Sequence, residues 1–186
     1  MSQRAVSEPG YTAYLRQARE GDAAAMRALL ASFWPNAYRI AYSVVQRHHL
    51  AEDAAQEASA RILTSLGSLR SDEAFAAWAR RIVVNEACQV LRGTWRELPG
   101  VPLTERMQIE VPSEDGMTLD EALASLAEAY RVPLVLRYYH GLSSSEIGAA
   151  LGLPAGTVRS RLMEARSRLR GVLATEGPHF RPDSTT

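Results

Sequence analysis

The residues of this sequence best suited to binding chemistry are arginines that cluster in one short segment. They lie at positions 159, 161, 166, 168 and 170. Residues 153–170 carry these five arginines and one acidic residue, whereas the whole chain has 21 basic and 21 acidic residues. Arginine side chains bind DNA phosphates and can form two hydrogen bonds to the edge of guanine in the major groove. This local basic block is therefore a candidate contact with nucleic acid.

An apolar stripe in the same segment predicts that it forms a helix. Val158, Leu162 and Ala165 recur at spacings of four and three residues, which places them on one face. That face would dock on the rest of a domain and leave other faces exposed. A solvated face rich in arginine would give the same pattern without DNA, so the helix alone leaves both interpretations open. The candidate DNA contacts in this helix are Thr157, Arg159, Ser160, Arg161, Met163 and Arg166, with Arg159, Ser160 and Met163 as the expected base readers.

The residues before the basic helix favour DNA binding. Ser143 and Glu146 have the spacing of a capping box, which predicts the start of a short helix, "SSSEIGAAL". Gly152, Leu153 and Pro154 then predict a tight turn. A capped helix, a turn and a basic helix together make a helix-turn-helix arrangement.

Two small helical domains are predicted to position these residues, and the fold class is all-α. Residues 11–92 have helical periodicity throughout and predict a four-helix bundle. Residues 93–117 are irregular, acidic and rich in proline and glycine, which predicts a flexible linker. The second domain spans 118–174, and a polar tail follows over 175–186.

In the first domain, N-cap and helix-breaking residues set the expected helix limits. Asp22 is the expected N-cap of one helix, and Pro35 should end that helix and begin the next. A third helix is predicted over 51–66 and a fourth over 74–92, separated by a polar break over 67–75. The fourth helix should bury Phe75, Trp78, Ile82 and Val83.

A second capping-box pattern opens the second domain. Thr118 and Glu121 have this spacing, and Gly141 is placed to end the apolar helical run that follows. The expected buried residues between them are Leu119, Leu123, Leu126, Val132, Leu134, Val135, Leu136 and Tyr138.

Catalysis, metal binding and membrane insertion find little support in the sequence. Cys88 is the only cysteine, and no CxxC or HExxH spacing occurs, so neither a disulfide nor a metal site is expected. Surface or capping roles suffice for all four histidines, and no glycine-rich phosphate loop is present. We expect no enzyme, no catalytic residue, no cofactor and no small-molecule substrate. The absence of a signal-peptide core and of a membrane-spanning apolar run favours a cytoplasmic protein without direct membrane insertion.

Three stretches resemble bacterial RNA polymerase sigma factors of the extracytoplasmic-function (ECF) group. "LRYYHGLSSSEIGAALGLPAGTVRSRLMEARSRLR" is similar to their region 4, "AEDAAQEASARILTSL" to region 2.2, and "FAAWARRIVVNEACQVLR" to regions 2.3 and 2.4. The order of the stretches also matches that group. The resemblance implies a sigma factor with core RNA polymerase, promoter DNA and an anti-sigma factor as partners. The alternative is a stand-alone helix-turn-helix regulator, which would leave the region 2 match unexplained.

The resemblance also assigns roles to residues of the first domain. Those implied in binding the coiled coil of the largest polymerase subunit are Asp53, Gln56 and Glu57. Those implied in reading the minus-ten promoter element and holding an extruded base are Leu69, Arg70, Ser71, Asp72, Glu73 and Phe75. Implied contacts with the melted strand or its phosphates are Arg80, Arg81, Asn85 and Arg92. Gln89 and Glu164 depart from the family pattern, and Glu164 puts the minus-thirty-five sequence in doubt because a carboxylate is repelled by phosphate.

Overall fold

A computed structural model describes residues 11–97 and 119–175 of the chain. In these ranges every regular element is helical, which confirms the all-α prediction. The chain divides into two compact units, Met1–Leu91 and Arg92–Thr186. The α-helices are α1 (Thr12–Arg19), α2 (Ala23–Val45), α3 (His48–Ser65), α4 (Phe75–Glu97), α5 (Leu119–Ala124), α6 (Glu128–Tyr138), α7 (Ser144–Leu151) and α8 (Ala155–Thr175).

Helix α2 begins where the sequence predicts and continues through the proline that was expected to end it. The Asp22 carboxylate accepts a hydrogen bond from the Ala25 N–H at 2.7 Å, which confirms the N-cap. Pro35 lies inside α2, so the prediction of two helices is wrong. A proline inside a helix costs about 3 kcal/mol because it lacks the N–H for the preceding turn. Burial of one face on both sides of the proline, including Phe33 and Ala37, offsets that cost.

Three aromatic rings and a row of small side chains form the core of the first unit. The rings of Tyr11, Phe33 and Phe75 pack on one another with centroids 5.1 to 5.7 Å apart. Truncating a buried ring of this kind typically costs about 3–5 kcal/mol. Most of the inner face of α3 is alanine, including Ala51 and Ala55, which are fully buried and let α3 pack closely against α2.

Helix α4 is longer than predicted, and its buried face differs from the expected one. It continues to Glu97, past Gly93, since a single glycine costs only about 1 kcal/mol in a helix. Phe75 and Val83 are buried as expected, but Trp78 and Ile82 are only partly buried. The residues that complete the buried face are Ala79, Val84, Ala87, Cys88 and Leu91.

The second unit confirms most of the predicted core and corrects three positions, of which Leu123 is partly buried and the other two are exposed. The run from Val132 to Leu136 is buried, as is Leu126. Leu119 is 47% exposed and Tyr138 is 62% exposed, so both assignments to the core are wrong. Tyr138 is the last residue of α6, and its hydroxyl group makes exposure inexpensive. Thr118 lies outside the described residues, so its predicted capping box is not part of the structure described.

Two charged residues of α6 are buried, although their residue types predict exposure. Glu128 and Arg131 are 5% and 4% exposed. Charged side chains are rarely buried to this extent. No helix in the described ranges is long and apolar enough to cross a membrane.

Candidate nucleic-acid and protein interfaces

The capping box at the start of α7 forms in both directions. The Ser143 hydroxyl accepts from the Glu146 N–H at 3.2 Å, and the Glu146 carboxylate accepts from the Ser143 N–H at 2.9 Å. At the other end, Gly152 has φ of +68°, a left-handed conformation that glycine adopts without strain. The turn between α7 and α8 therefore follows from residues that the sequence analysis identified.

Replacing Ser143 with alanine is expected to loosen α7. Loss of an N-cap hydroxyl costs about 1 kcal/mol, which corresponds to about fivefold faster hydrogen exchange of the α7 amides that open locally. Ser145→Ala is the matched control, since Ser145 is exposed in the first turn of the same helix. Equal exchange rates in the two variants would show that the cap does not hold α7 in place.

Helix α8 docks through its apolar stripe and exposes the three predicted base readers. Val158 and Ala165 are fully buried and Leu162 is 7% exposed. Arg159 and Ser160 are exposed, and the Met163 side chain is 66% exposed. The helix packs on α5, α6 and α7, and these contacts hold it in place while its other side stays exposed.

The candidate residues of α8 differ in their exposure and in their hydrogen bonds within the helix. The Ser160 hydroxyl donates to the Thr157 carbonyl oxygen at 2.9 Å, which leaves its oxygen free to accept. Thr157 itself is partly buried. Arg166 is exposed, and its Nε donates to the Leu162 carbonyl oxygen at 3.3 Å.

Two arginines of the basic block are held within their own unit. Arg161 is partly buried, and its Nη1 atom is enclosed without a hydrogen-bond partner among the described residues. Burial lowers the pKa of Arg161 from its ordinary value. Arg168 donates to the Glu164 carboxylate at 2.8 Å, and its guanidinium lies 4.3 Å from the centre of the Tyr130 ring. The hydrogen bond to Glu164 raises the pKa of Arg168 above its ordinary value.

The ion pair with Arg168 changes the effect expected of Glu164, the residue that departs from the family pattern. The Glu164 carboxylate is engaged by Arg168 on its own helix, so it does not present an isolated negative charge. Among the residues that the structure describes, Arg159 and Arg166 are exposed cations of α8 without such an ion pair. The basic surface is therefore narrower than the count of arginines suggests.

The segment between α3 and α4 forms a compact loop whose ends are buried. We call residues 69–75 the minus-ten loop, after the role that the resemblance implies. Two short 3-10 helices, Leu66–Ser68 and Asp72–Ala74, flank or lie within it. Leu69 and Phe75 are 4% and 1% exposed, so neither side chain is available to a base in this arrangement.

The middle of the minus-ten loop is polar and accessible. Arg70 and Glu73 are exposed, and Ser71 and Asp72 are partly buried. The backbone N–H of Glu73 and the Ser71 hydroxyl hydrogen-bond its carboxylate, and these bonds hold the pKa of Glu73 below its ordinary value. The loop therefore carries two carboxylates and one exposed arginine.

Helix α4 follows this loop in the chain and carries a second group of candidate DNA-binding residues. Arg80, Arg81 and Asn85 are all exposed, and Arg81 and Asn85 share a face at a spacing of four residues. Trp78 lies three residues before Arg81 on the same face and is only partly buried. Sequence reasoning assigned Trp78 to the core, and its spacing with Arg81 and Asn85 was the available signal that it shares their exposed face. Arg92 is partly buried.

The outer face of α3 carries the predicted protein-binding residues. Asp53, Gln56 and Glu57 are exposed, and helical spacing brings them together on one face. Arg61 donates to the buried Glu86 carboxylate at 2.7 Å and lies 4.0 Å from Glu57. Arg61 is closer to Glu86 than to Glu57, so it neutralises little of the Glu57 charge. The Glu57 carboxylate therefore remains a negative charge exposed to solvent.

Comparison with known proteins shows the family to which the chain belongs. The sequence profile described as Sigma-70 region 2 matches residues 29–97, and the profile described as Sigma-70, region 4 matches residues 116–169. The ECF RNA polymerase sigma factor SigW of Bacillus subtilis is 30% identical over 176 residues, which cover 86% of this chain and 94% of that protein. The chain belongs to the ECF sigma factor family.

Other relatives agree with this assignment. The ECF RNA polymerase sigma factor SigE of Mycolicibacterium smegmatis is 35% identical over 167 residues, 83% of this chain and 65% of that protein. The solved structure of CnrH in complex with the cytosolic domain of CnrY covers 90% of this chain and 99% of its own, with a TM-score of 0.50. Its identity of 23% bears on the fold alone.

The matched regions divide the candidate residues of this ECF sigma factor between the two units. Region 2 contains the α3 face, the minus-ten loop and the exposed residues of α4, while region 4 contains α7 and most of the basic helix α8. A stand-alone regulator is not favoured, because it would use region 4 only. Within the described residues, no group of three or more His, Cys, Asp or Glu side chains could hold a metal ion.

Proposed function

We propose that this ECF sigma factor binds core RNA polymerase through the outer face of α3 and directs it to promoters that both units contact. The observation that carries the proposal is that the two matched regions present different exposed surfaces. One region presents an acidic face and a polar loop, and the other presents an exposed arginine, serine and methionine on a docked helix. An acidic face fits a basic groove on a protein partner, whereas the arginine-bearing helix fits the major groove.

Region 2 is proposed to open the minus-ten element by holding a base outside the duplex. Extruding a base costs a few kcal/mol. A stacking surface contributes roughly 1–3 kcal/mol per base, so one good aromatic contact offsets much of that cost. Phe75 is buried in the core, and we assign the stacking role to the partly exposed ring of Trp78 instead. Arg81 and Asn85 on the same face would then contact the strand beside that base.

Region 4 is proposed to hold the minus-thirty-five element as duplex. The N-terminal half of α8 carries Arg159, Ser160 and Met163 at the exposed surface. A guanidinium and a hydroxyl group can each bond a base edge, and the methionine offers an apolar contact for a thymine methyl group. Arg166, farther along the helix, suits a phosphate.

Run-off transcription with purified core enzyme on a pool of random promoters is the test of this function. We expect the full-length chain to select a shared pair of sequence elements, which sequencing of the transcripts would reveal. Core enzyme alone supplies the background. Sequence-specific duplex binding by the chain without any gain in transcription on adding core enzyme would contradict the proposal.

Control by an anti-sigma factor is part of the same proposal. The family resemblance implies such a partner, and the solved structure of CnrH contains the cytosolic domain of CnrY. A partner that covers the α3 face or α8 would block core binding or promoter contact. Co-purification of the chain with an inhibitor that competes with core enzyme is the expected result.

A further inference from the structure

Both ends of helix α1 contact the minus-ten loop. Arg19, the last residue of α1, donates through Nη2 to the Leu69 carbonyl oxygen at 2.8 Å. Its Nη1 forms an ion pair with the Asp72 carboxylate. At the start of α1, the Tyr11 ring centre lies 5.1 Å from that of Phe75. The loop is thus held between two points on a helix that the sequence analysis did not connect with DNA.

The two bonds from Arg19 constrain the part of the loop that is expected to read DNA. Leu69 and Asp72 are three residues apart, and Arg70 and Ser71 lie between them. A guanidinium is planar and presents several donors in a rigid fork, so it can fix a backbone carbonyl and a carboxylate at once. The Arg19 guanidinium therefore links the two ends of the segment from Leu69 to Asp72.

The contact also changes the charge that the loop offers to DNA. An unpaired Asp72 carboxylate would repel the phosphates of the melted strand, whereas the pair with Arg19 is close to neutral. Glu73 is exposed, and its hydrogen bonds to its own backbone N–H and to Ser71 lower its pKa, so it stays ionised. Arg19 is thus a cation placed against a loop with two carboxylates.

We propose that Arg19 is a positioning residue for minus-ten recognition. It acts through Leu69 and Asp72 by holding the loop in the form that receives the extruded base. A loop that is ordered only on binding loses conformational entropy at that moment, and a preformed loop avoids this loss. This inference rests on the proposed function, since it concerns the same promoter contact.

Hydrogen exchange in the free full-length chain tests the constraint without any promoter. The amides of Leu69 and Ala74 donate to Leu66 and Ser71 carbonyl oxygens and report the loop directly. In Arg19→Met we expect these amides to exchange about tenfold faster, while the buried amides of α3 are unchanged. Arg16→Met is the matched control, because Arg16 is exposed on the same helix. Equal loop exchange in the two variants would overturn the inference.

Promoter discrimination tests the consequence for function. With core enzyme, Arg19→Met should lose about tenfold of the preference for the selected minus-ten sequence over its base-substituted versions. The preference for the minus-thirty-five sequence and the affinity for core enzyme should match wild type and Arg16→Met. Arg19→Lys keeps the charge without the fork and should recover part of the minus-ten preference. Equal losses at both promoter elements, or none at either, would contradict a positioning role.

The variants are expected to fold, and the two proposals can fail separately. The side chains of Arg19 and Asp72 are 31% and 40% accessible, and ion pairs at such sites contribute little to global stability. Should Arg19→Met unfold, Arg19→Lys carries both measurements. Absence of promoter-specific transcription by wild type would overturn the proposed function, whereas normal wild-type transcription with an unaltered loop in the variants would overturn only the role of Arg19.

Discussion

Replacing both Asp53 and Glu57 with arginine is expected to abolish binding to core RNA polymerase. Both carboxylates are exposed on one face of α3, and the double variant reverses the charge of that face. Placing like charges across a protein interface costs several kcal/mol, so we expect at least about a hundredfold loss of affinity. Titration of labelled core enzyme with each purified chain measures the loss, and run-off transcription should fall in parallel.

The fold of this double variant should survive, which separates lost contact from unfolding. Neither side chain is buried, and Arg61 retains its closer partner, the Glu86 carboxylate. Glu20→Arg, compared with each single variant, controls for the change in net charge, since Glu20 is exposed at the end of α1 and outside the α3 face. Core binding by the double variant at wild-type affinity would exclude this face from the interface.

Local sequence signals were sufficient where a short pattern alone determines the structure. The caps at Asp22 and Ser143 and the turn glycine at position 152 all form as predicted. In each case the hydrogen bond or the backbone angle involves residues within a few positions of one another. The all-α class and the helix-turn-helix follow from the same short-range patterns.

Signals that depend on distant packing could not be read from the sequence. Pro35 continues α2 because faces on both sides of it are buried by other helices. Tyr138 and Leu119 have apolar character but lie where the second unit does not cover them. Helical periodicity indicates which residues share a face, and it does not show how far the covering partner extends.

The sequence predicted the exposed side chains of α8 and α3, but it did not predict which side chains of the candidate surfaces pair with one another. Arg168 is held by Glu164 and Tyr130, and Arg19 is held by the minus-ten loop. The Arg19 contacts join residues about fifty positions apart in the chain, so no local pattern indicates them. Counting arginines therefore overestimates the basic surface of α8, and it misses Arg19, which binds the minus-ten loop.

Arg159→Ala is expected to remove one base-pair preference from the minus-thirty-five element. Arg159 is exposed near the N-terminal end of α8, the part of a recognition helix that reaches base edges. If its guanidinium forms two hydrogen bonds with guanine, the variant loses roughly 1–3 kcal/mol, which is a factor between about 5 and about 150, at that base pair. Transcription from promoters with each minus-thirty-five base pair replaced in turn measures the effect.

The pattern of loss distinguishes a base contact from a phosphate contact. A base reader loses discrimination at one position and leaves the others unchanged, whereas a phosphate contact weakens all sequences alike and lowers the salt dependence by about one charge. Arg170→Ala is the matched control, since it removes the same charge from an exposed position near the other end of α8. Uniform weakening by Arg159→Ala, equal to that of Arg170→Ala, would assign Arg159 to the phosphate backbone and leave Ser160 and Met163 as the base readers.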